Sequence, residues 1–417
     1  MRTRHVILGI DGVPFELMDK LSKNGVMPNF NQLKKEFYFN KLKSSIPHIS
    51  SVSWSSIITG KNPGEHGIYG FTDLIKSTYS ISFPNFNALK CKPFWYKEKD
   101  EKSIIINVPA TYPAKKLNGI HIAGFVALDL EKAVYPQEIL SKLNEFNYEI
   151  DVDSNLAHKQ SKDIFFDELF RVLKIRRRTI DYFWDYLNWN NFMAVITGSD
   201  RIGHFFWDIY ENEENSHHYR FLDYFREIDT IIGEIKNKLK ENDKLIILSD
   251  HGMELIKLNV NLNTYLEKVG LLRLTEKGKR YNRIEKGTKA FVLDPGRVYL
   301  NTKSKFPNGT IHPNEEKEVI EELKNVFLDL KYKNQKLIRH VYEKDDIYSG
   351  KMINNAPDLI LIEKKGFNLK GSIGKEDVFE KEVDFTGKHN NNSFILINDD
   401  IEIKDPTVEN VVGLLER

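Results

Sequence analysis

The sequence predicts an α/β fold, a three-layer sandwich built on a central, mostly parallel sheet. Two observations carry this reading. Short runs rich in Ile, Val and Leu, apolar on both faces, recur along the chain, and amphipathic segments of helical period lie between them. No internal repeat or Pro/Gly-rich linker interrupts the alternation.

Taken in order, HVILGI (5–10) reads as the first buried strand and PNFNQLKKEF (28–37) as a helix. SIIINV (103–108) is the next strand, followed by the amphipathic run DIFFDELFRVLKIRRRTIDYFWDYL (163–187). FMAVIT (192–197), the helical YRFLDYFREIDTIIGEIKNKLK (219–240) and KLIILS (244–249) continue the pattern. PNEEKEVIEELKNVFLDL (313–330) reads as a helix, and PDLILI (357–362) and SFILIN (393–398) as strands. The whole of 1–417 is expected to form one catalytic domain, with cap or lid insertions within 125–190 and 254–345.

Composition narrows the function. The chain of 417 residues has 61 Lys+Arg against 60 Asp+Glu, a net charge of +1, which gives no support for a broad nucleic-acid or acidic-membrane surface. A single cysteine, Cys91, rules out an internal disulfide and a thiolate zinc cluster, so any metal must be held by Asp, Glu, His or hydroxyl groups. The apolar run near the start is only Val6 to Ile10, too short for a signal peptide, and no segment approaches a bilayer span. A cytoplasmic protein is expected.

The chemistry is read from strand ends, because ligands of open α/β sheets bind at the carboxyl edge. VILGIDG delivers Asp11, AVITGSD delivers Asp200 and LIILSDHG delivers Asp250. An Asp at a strand end commonly opens a turn or caps a helix; three on one sheet, two with a nearby histidine, form a pattern. Asp200 and His204 are four residues apart, which stacks them on one face if a helix starts there. His251 adjoins Asp250, and both can face one site only if the backbone turns, as Gly252 permits. Carboxylate and imidazole without thiolate suit zinc or manganese, and His389, just ahead of an apolar strand, is a further candidate ligand. Hydroxyls crowd the start of a helix-like segment at Ser50, Ser51 and Ser53, where free N–H groups favour an alkoxide and a phosphate. GKNPGEHG lacks the Gly-Lys-Ser/Thr ending of a P-loop.

In this order, an Asp closing the first strand, a hydroxyl ahead of TG…PGEHG, then SDRIGH, SDHG and GKH, the chain resembles the alkaline phosphatase superfamily and, within it, the type I phosphodiesterase/nucleotide pyrophosphatase branch. INVPATYPAKKLNGIHIAGF, GSDRIGHFFW and NAPDLILI are similar to predicted phosphohydrolase/phosphomutase members of that group. The resemblance implies two divalent metal ions, zinc or else manganese. Asp11, Asp250 and His251 would hold one, and Asp200, His204 and His389 the other. It places the nucleophile on Ser50, with Ser51 as the neighbouring alternative. It further implies a small-molecule phosphate ester substrate, phosphodiester or nucleotide-like, and in-line transfer through a phosphoserine.

One departure stands out. Where nucleotide pyrophosphatases carry an Asn after the HG histidine, this chain has Phe71, with Thr72 and Asp73 the nearest polar replacements. A phosphotransferase or phosphomutase would use the same residues, and a non-catalytic member of the fold is the competing class. A sulfatase would need an Arg that neither CKPFW nor SIPHI supplies. Of the remaining polar residues, His66 is expected to hold its loop, His217 and His218 to start a solvated helix, and Arg201 to form a surface ion pair. His48, close to Ser50, is a candidate substrate contact.

Overall fold

The computed structural model describes residues 3–159, 161–399 and 403–415, which divide into two compact units. The first comprises 1–61, 85–254 and 384–417; the second comprises 62–84 and 255–383. The sequence predicts one catalytic domain with cap or lid insertions within 125–190 and 254–345. In the structure 125–190 packs within the first unit, and the second unit runs on to 383.

The first unit is built on eight strands: β1 His5–Ile10, β2 Tyr38–Lys43, β3 Ser103–Val108, β4 Gly119–Ala123, β5 Val134–Tyr135, β6 Asn191–Ile196, β7 Lys244–Leu248 and β8 Asn392–Ile397. Their spatial order is β2-β8-β7-β1-β6-β3-β4-β5. The five strands β7, β1, β6, β3 and β4 run parallel. β8 is antiparallel to both its neighbours, β2 and β7, and β5 is antiparallel to β4. This is the mostly parallel sheet that the apolar runs predict.

The unit's helices include α1 Phe15–Lys23, α2 Pro28–Glu36, α3 Ser50–Thr59, α4 Lys162–Trp184, α5 Gly198–Glu211 and α6 His218–Lys238. Because side chains alternate along a strand, the sheet has two apolar faces to cover. Ile7, Ile105, Met193, Ile246 and Ile395 form one core with Trp54 and Ile57 of α3. On the alternate positions, Phe192 of β6 meets Trp184 of α4 and Phe394 of β8 meets Phe30 of α2, with ring centroids 4.9 and 5.8 Å apart. Helices therefore cover both faces, giving three layers.

The second unit holds an antiparallel four-stranded sheet in the order Ala290–Leu293, Arg297–Leu300, Leu359–Glu363, Ile338–Glu343, with the helix Glu316–Asp329 packed against the last of these. The apolar run at 357–362 is thus a strand, but of this second sheet. Among the described residues no helix is long and apolar enough to cross a membrane.

Candidate metal centre and nucleophile

Every predicted site residue lies in the first unit, at one edge of its sheet. Asp11 follows β1, Asp200 stands in the first turn of α5 just after β6, and Asp250 and His251 follow β7. β8 runs against β7, with Ile395 opposite Leu248, so its leading end lies at the same edge and brings His389 there. β2 ends at Lys43 opposite Asn392 of β8, and the chain then enters α3 at Ser50. Three backbone directions thus deliver six ligand candidates and a hydroxyl to one place.

The convergence is close. His251 Nε2 lies 3.4 Å from Asp250 Oδ2, 3.6 Å from Asp11 Oδ1 and 3.9 Å from Asp200 Oδ1. Asp200 Oδ1 is 3.2 Å from His389 Nε2 and 3.4 Å from His204 Nε2. Ser50 Oγ is 2.9 Å from His251 Nε2 and 3.5 Å from Asp11 Oδ1. Two groups can each surround one cation, Asp11 with Asp250 and His251, and Asp200 with His251 and His389. His251 belongs to both, and its ring stacks on that of His389 at 3.6 Å.

The hydrogen bonds behind the imidazoles decide which nitrogen faces the site. Nδ1 of His204 reaches the carbonyl of Gly387 at 2.9 Å, Nδ1 of His251 that of Gly252 at 3.0 Å, and Nδ1 of His389 that of His48 at 2.9 Å. A carbonyl only accepts, so each Nδ1 carries the proton and each Nε2 presents a lone pair. Burial, the largest influence, lowers the pKa of all three, that of His251 to about 4, so they are neutral near pH 7. Nε2 of His204 and Nε2 of His389 then face each other at 2.9 Å, lone pair to lone pair. Buried Asp200 Oδ1 and Asp250 Oδ2 accept no hydrogen bond. Inward-facing lone pairs and unsatisfied carboxylate oxygens are a donor set that a divalent cation fits.

The carboxylates carry the matching strain. Burial and then the charge of Asp250 raise Asp11 well above the usual carboxylate range. Burial raises Asp250 to about 7, against a hydrogen bond from the Gly12 N–H. Asp200 goes the other way: burial raises it, but His204 and His389 together pull it well below the usual value.

Several positioning contacts lie outside what the residue pattern reveals. Trp54 Nε1 donates to Asp11 Oδ2 at 3.0 Å from one turn into α3. Ser199 Oγ donates to the Asp11 carbonyl at 2.7 Å, and Ser249 Oγ donates to the His251 carbonyl at 2.6 Å while accepting from Val13 N. Gly12 has φ +72°, and a Cβ there would lie 2.8 Å from Asp200 Oδ1. Gly252 acts differently from expectation. It adopts no positive φ, and the constraint is space, since a Cβ would meet the Asn392 carbonyl at 2.3 Å.

The remaining candidates separate by place. Ser51 Oγ is buried and makes no hydrogen bond, whereas Ser50 Oγ is the hydroxyl facing His251. His48 joins the centre through its carbonyl. His66 is buried in the second unit, where its Nδ1 accepts from Ile68 N within its own turn. His217 caps the start of α6 beside Asp163, and His218 Nδ1 lies 3.0 Å from the Ile209 carbonyl. Arg201 is no surface ion pair: its side chain is 15% exposed and pairs with Asp151 and Asp200. Thr72 is held by Arg297, which donates to its carbonyl at 2.8 Å and its hydroxyl at 3.1 Å.

With this geometry in view, the match to known proteins is direct. Residues 5–391 match the family described as type I phosphodiesterase / nucleotide pyrophosphatase. The chain belongs to this family. A member of this family, it is a phosphoester hydrolase with candidate ligand groups for a divalent metal. No curated protein matches it in sequence. Among solved structures it is similar to the phosphonoacetate hydrolase of Sinorhizobium meliloti 1021, solved with phosphonoformate, with a TM-score of 0.65 at 12% identity over 99% of this chain and 95% of that one. It is also similar to murine ectonucleotide pyrophosphatase/phosphodiesterase 5, with a TM-score of 0.55 at 13% identity over 99% and 94%. The alkaline phosphatase PafA gives a TM-score of 0.60 at 13% identity, again over 99% and 94%. At such identities the likeness is one of fold, an alkaline-phosphatase-like α/β architecture.

Proposed function

We propose that this family member hydrolyses a phosphodiester or nucleotide-like phosphate ester by in-line transfer through a phosphoserine on Ser50. The observation that carries the reading is the Ser50 hydroxyl, which heads a ten-residue helix and lies 2.9 Å from His251 Nε2 beside Asp11. Asp11, Asp250 and His251 would hold one divalent cation, and Asp200, His204 and His389 the second, zinc or manganese by the chemistry of the donor set. Bound there, such cations supply Lewis acidity and neutralise charge on a phosphate.

The chain's own groups do the rest. The α3 N-terminus turns its positive end toward Ser50 and favours the anionic phosphate and the ionised hydroxyl. Ser50, having lost its proton to solvent, attacks phosphorus. The P–O bond opposite breaks, and the alcohol leaves with a solvent proton. Water then attacks the phosphoserine, the Oγ–P bond breaks, and Ser50 is regenerated with release of the phosphate monoester. Trp54 holds Asp11 and the Gly252 carbonyl holds His251, so neither ligand must reorganise during either step.

The test uses zinc- or manganese-loaded protein with bis-p-nitrophenyl phosphate and p-nitrophenyl phosphate. Diester turnover should exceed monoester turnover, and Ser50→Ala should reduce kcat by at least about a thousandfold while metal binding persists. Mass spectrometry of quenched reactions should find a p-nitrophenylphosphoryl group on Ser50 from the diester and a phosphate there from the monoester. Full activity in Ser50→Ala would remove the phosphoserine. Transfer to an added alcohol in preference to water would make the protein a phosphotransferase or phosphomutase.

A further inference from the structure

Arg201 and Asp151 form a contact with the centre that the ligand set does not explain. Arg201 Nε and Nη2 both donate to Asp151 Oδ2, at 2.9 and 2.6 Å. Its Nη1 lies 3.4 Å from Asp200 Oδ2, and its guanidinium plane sits over the Phe125 ring at 4.3 Å. Adjacent residues on a helix point in different directions. That Asp200 and Arg201 nevertheless meet in the first turn of α5 follows from where Asp151 and Phe125 hold the guanidinium.

Asp151 is itself anchored. Arg176, from α4 and only 3% exposed, donates through Nη2 to the carbonyls of Glu149 and Ile150, at 3.1 and 2.9 Å, the two residues preceding Asp151. Its guanidinium also stacks over Tyr148 at 4.5 Å. A rigid series therefore runs from α4 through the 148–151 loop to Arg201 and ends on one oxygen of Asp200. The other oxygen, Oδ1, points at the three imidazoles.

We infer that Arg201, fixed by Asp151, is a positioning residue that commits Asp200 Oδ2 outward and so aims Oδ1 at a cation. The idea rests on the metal-centre reading above and extends it. A carboxylate ligand free to rotate would share its two oxygens between cation and solvent; a charge-assisted bond to one of them selects the rotamer. The segment around 125–151, which the sequence marks as an insertion, then acts on the metal centre through Phe125 and Asp151, with no ligand of its own.

Calorimetric titration and the visible spectrum of the cobalt-substituted protein test this on wild type, Arg201→Met, Arg201→Lys and Asp151→Asn. In the wild type two cations should bind. Arg201→Met and Asp151→Asn should each weaken one of them about 10–100-fold, leave the other within about threefold, and alter the cobalt spectrum of the weakened site. Arg201→Lys should recover most of the lost affinity. The double variant should be no weaker than the worse single, because both act through one carboxylate. Unchanged affinities and spectra in both single variants would overturn the inference. So would unchanged metal binding with a raised KM, which would make Arg201 a substrate contact. A general loss of fold in Arg201→Met would leave Asp151→Asn, which keeps the charge of Arg201, to decide the matter by the same readings. A wild type that binds no metal would instead defeat the metal-centre reading itself.

Discussion

At the scale of single residues the centre is a set of lone pairs held in place by backbone carbonyls. Metal uptake should therefore be coupled to protons. Asp250, raised to about 7 by burial, retains its proton in the metal-free protein below that pH, whereas His251, lowered to about 4, does not compete. Asp11, in the same ligand group, is also raised well above the usual range, so between pH 6 and 7 an entering cation must displace at least the Asp250 proton and affinity should rise by about tenfold per pH unit or more. The sign for stability agrees. The Asp250 proton supports the metal-free fold fully below the ordinary carboxylate pKa, and that support is lost as the pH rises through about 7. The gain in Tm on adding zinc should thus be larger at pH 8 than at pH 6, and an equal gain at both would contradict it. Trp54→Phe is the second residue-level prediction. It leaves Asp11 Oδ2 without its buried donor, which should cost about 1–3 kcal/mol and weaken one cation about tenfold or more in calorimetric titration.

At the scale of elements, what matters is how a strand ends. Gly12 lets the chain leave β1 in a left-handed turn tight against Asp200. Alanine there meets about 1–2 kcal/mol of backbone strain and a Cβ 2.8 Å from the Asp200 carboxylate. Gly12→Ala should therefore lower Tm and metal affinity together in thermal melts and titrations, and a variant that keeps both would show that the loop can yield. The strands ending in Asp11, Asp200 and Asp250 were legible because runs apolar on both faces have one physical use, the middle of a covered sheet, and a carboxylate closing such a run stands out. β2, β4 and β5 were not legible. β2, YFNKLK, mixes polar and apolar residues without a regular period, β4, GIHIA, is broken by a histidine, and β5 is two residues long, so none produces a continuous apolar run. Trp54 gave no signal, because an aromatic one turn into a helix reads as core. Its ring does pack there, and only the indole N–H reaches the ligand.

At the scale of the molecule, the seven side chains could be named from strand ends, a helix start and a resemblance. Their mutual distances depended on the order of strands, which periodicity does not encode. The run at 357–362 shows the limit. Its composition equals that of the central strands, yet it pairs with Arg297–Leu300 in the second unit, because hydrophobicity specifies burial without specifying a partner. Since all the ligand candidates belong to the first unit, zinc should slow amide exchange in peptides covering 11–13, 198–204, 249–253 and 386–391 and leave the 290–300 hairpin unchanged. Equal protection of the hairpin would place a cation elsewhere.

The position of β8 carries a consequence for how the chain is made. Lying between the edge strand β2 and the parallel strand β7, it is the last strand of its sheet to leave the ribosome, yet it has a neighbour on both sides. Until residue 397 has emerged, two neighbours wait with unpaired edges across a gap one strand wide, and a cage lacking His389 has no hold on its ions. A nascent chain stalled before that point should bind chaperones and stick to its own kind, and release past it should close the gap and seat the cations in a single event.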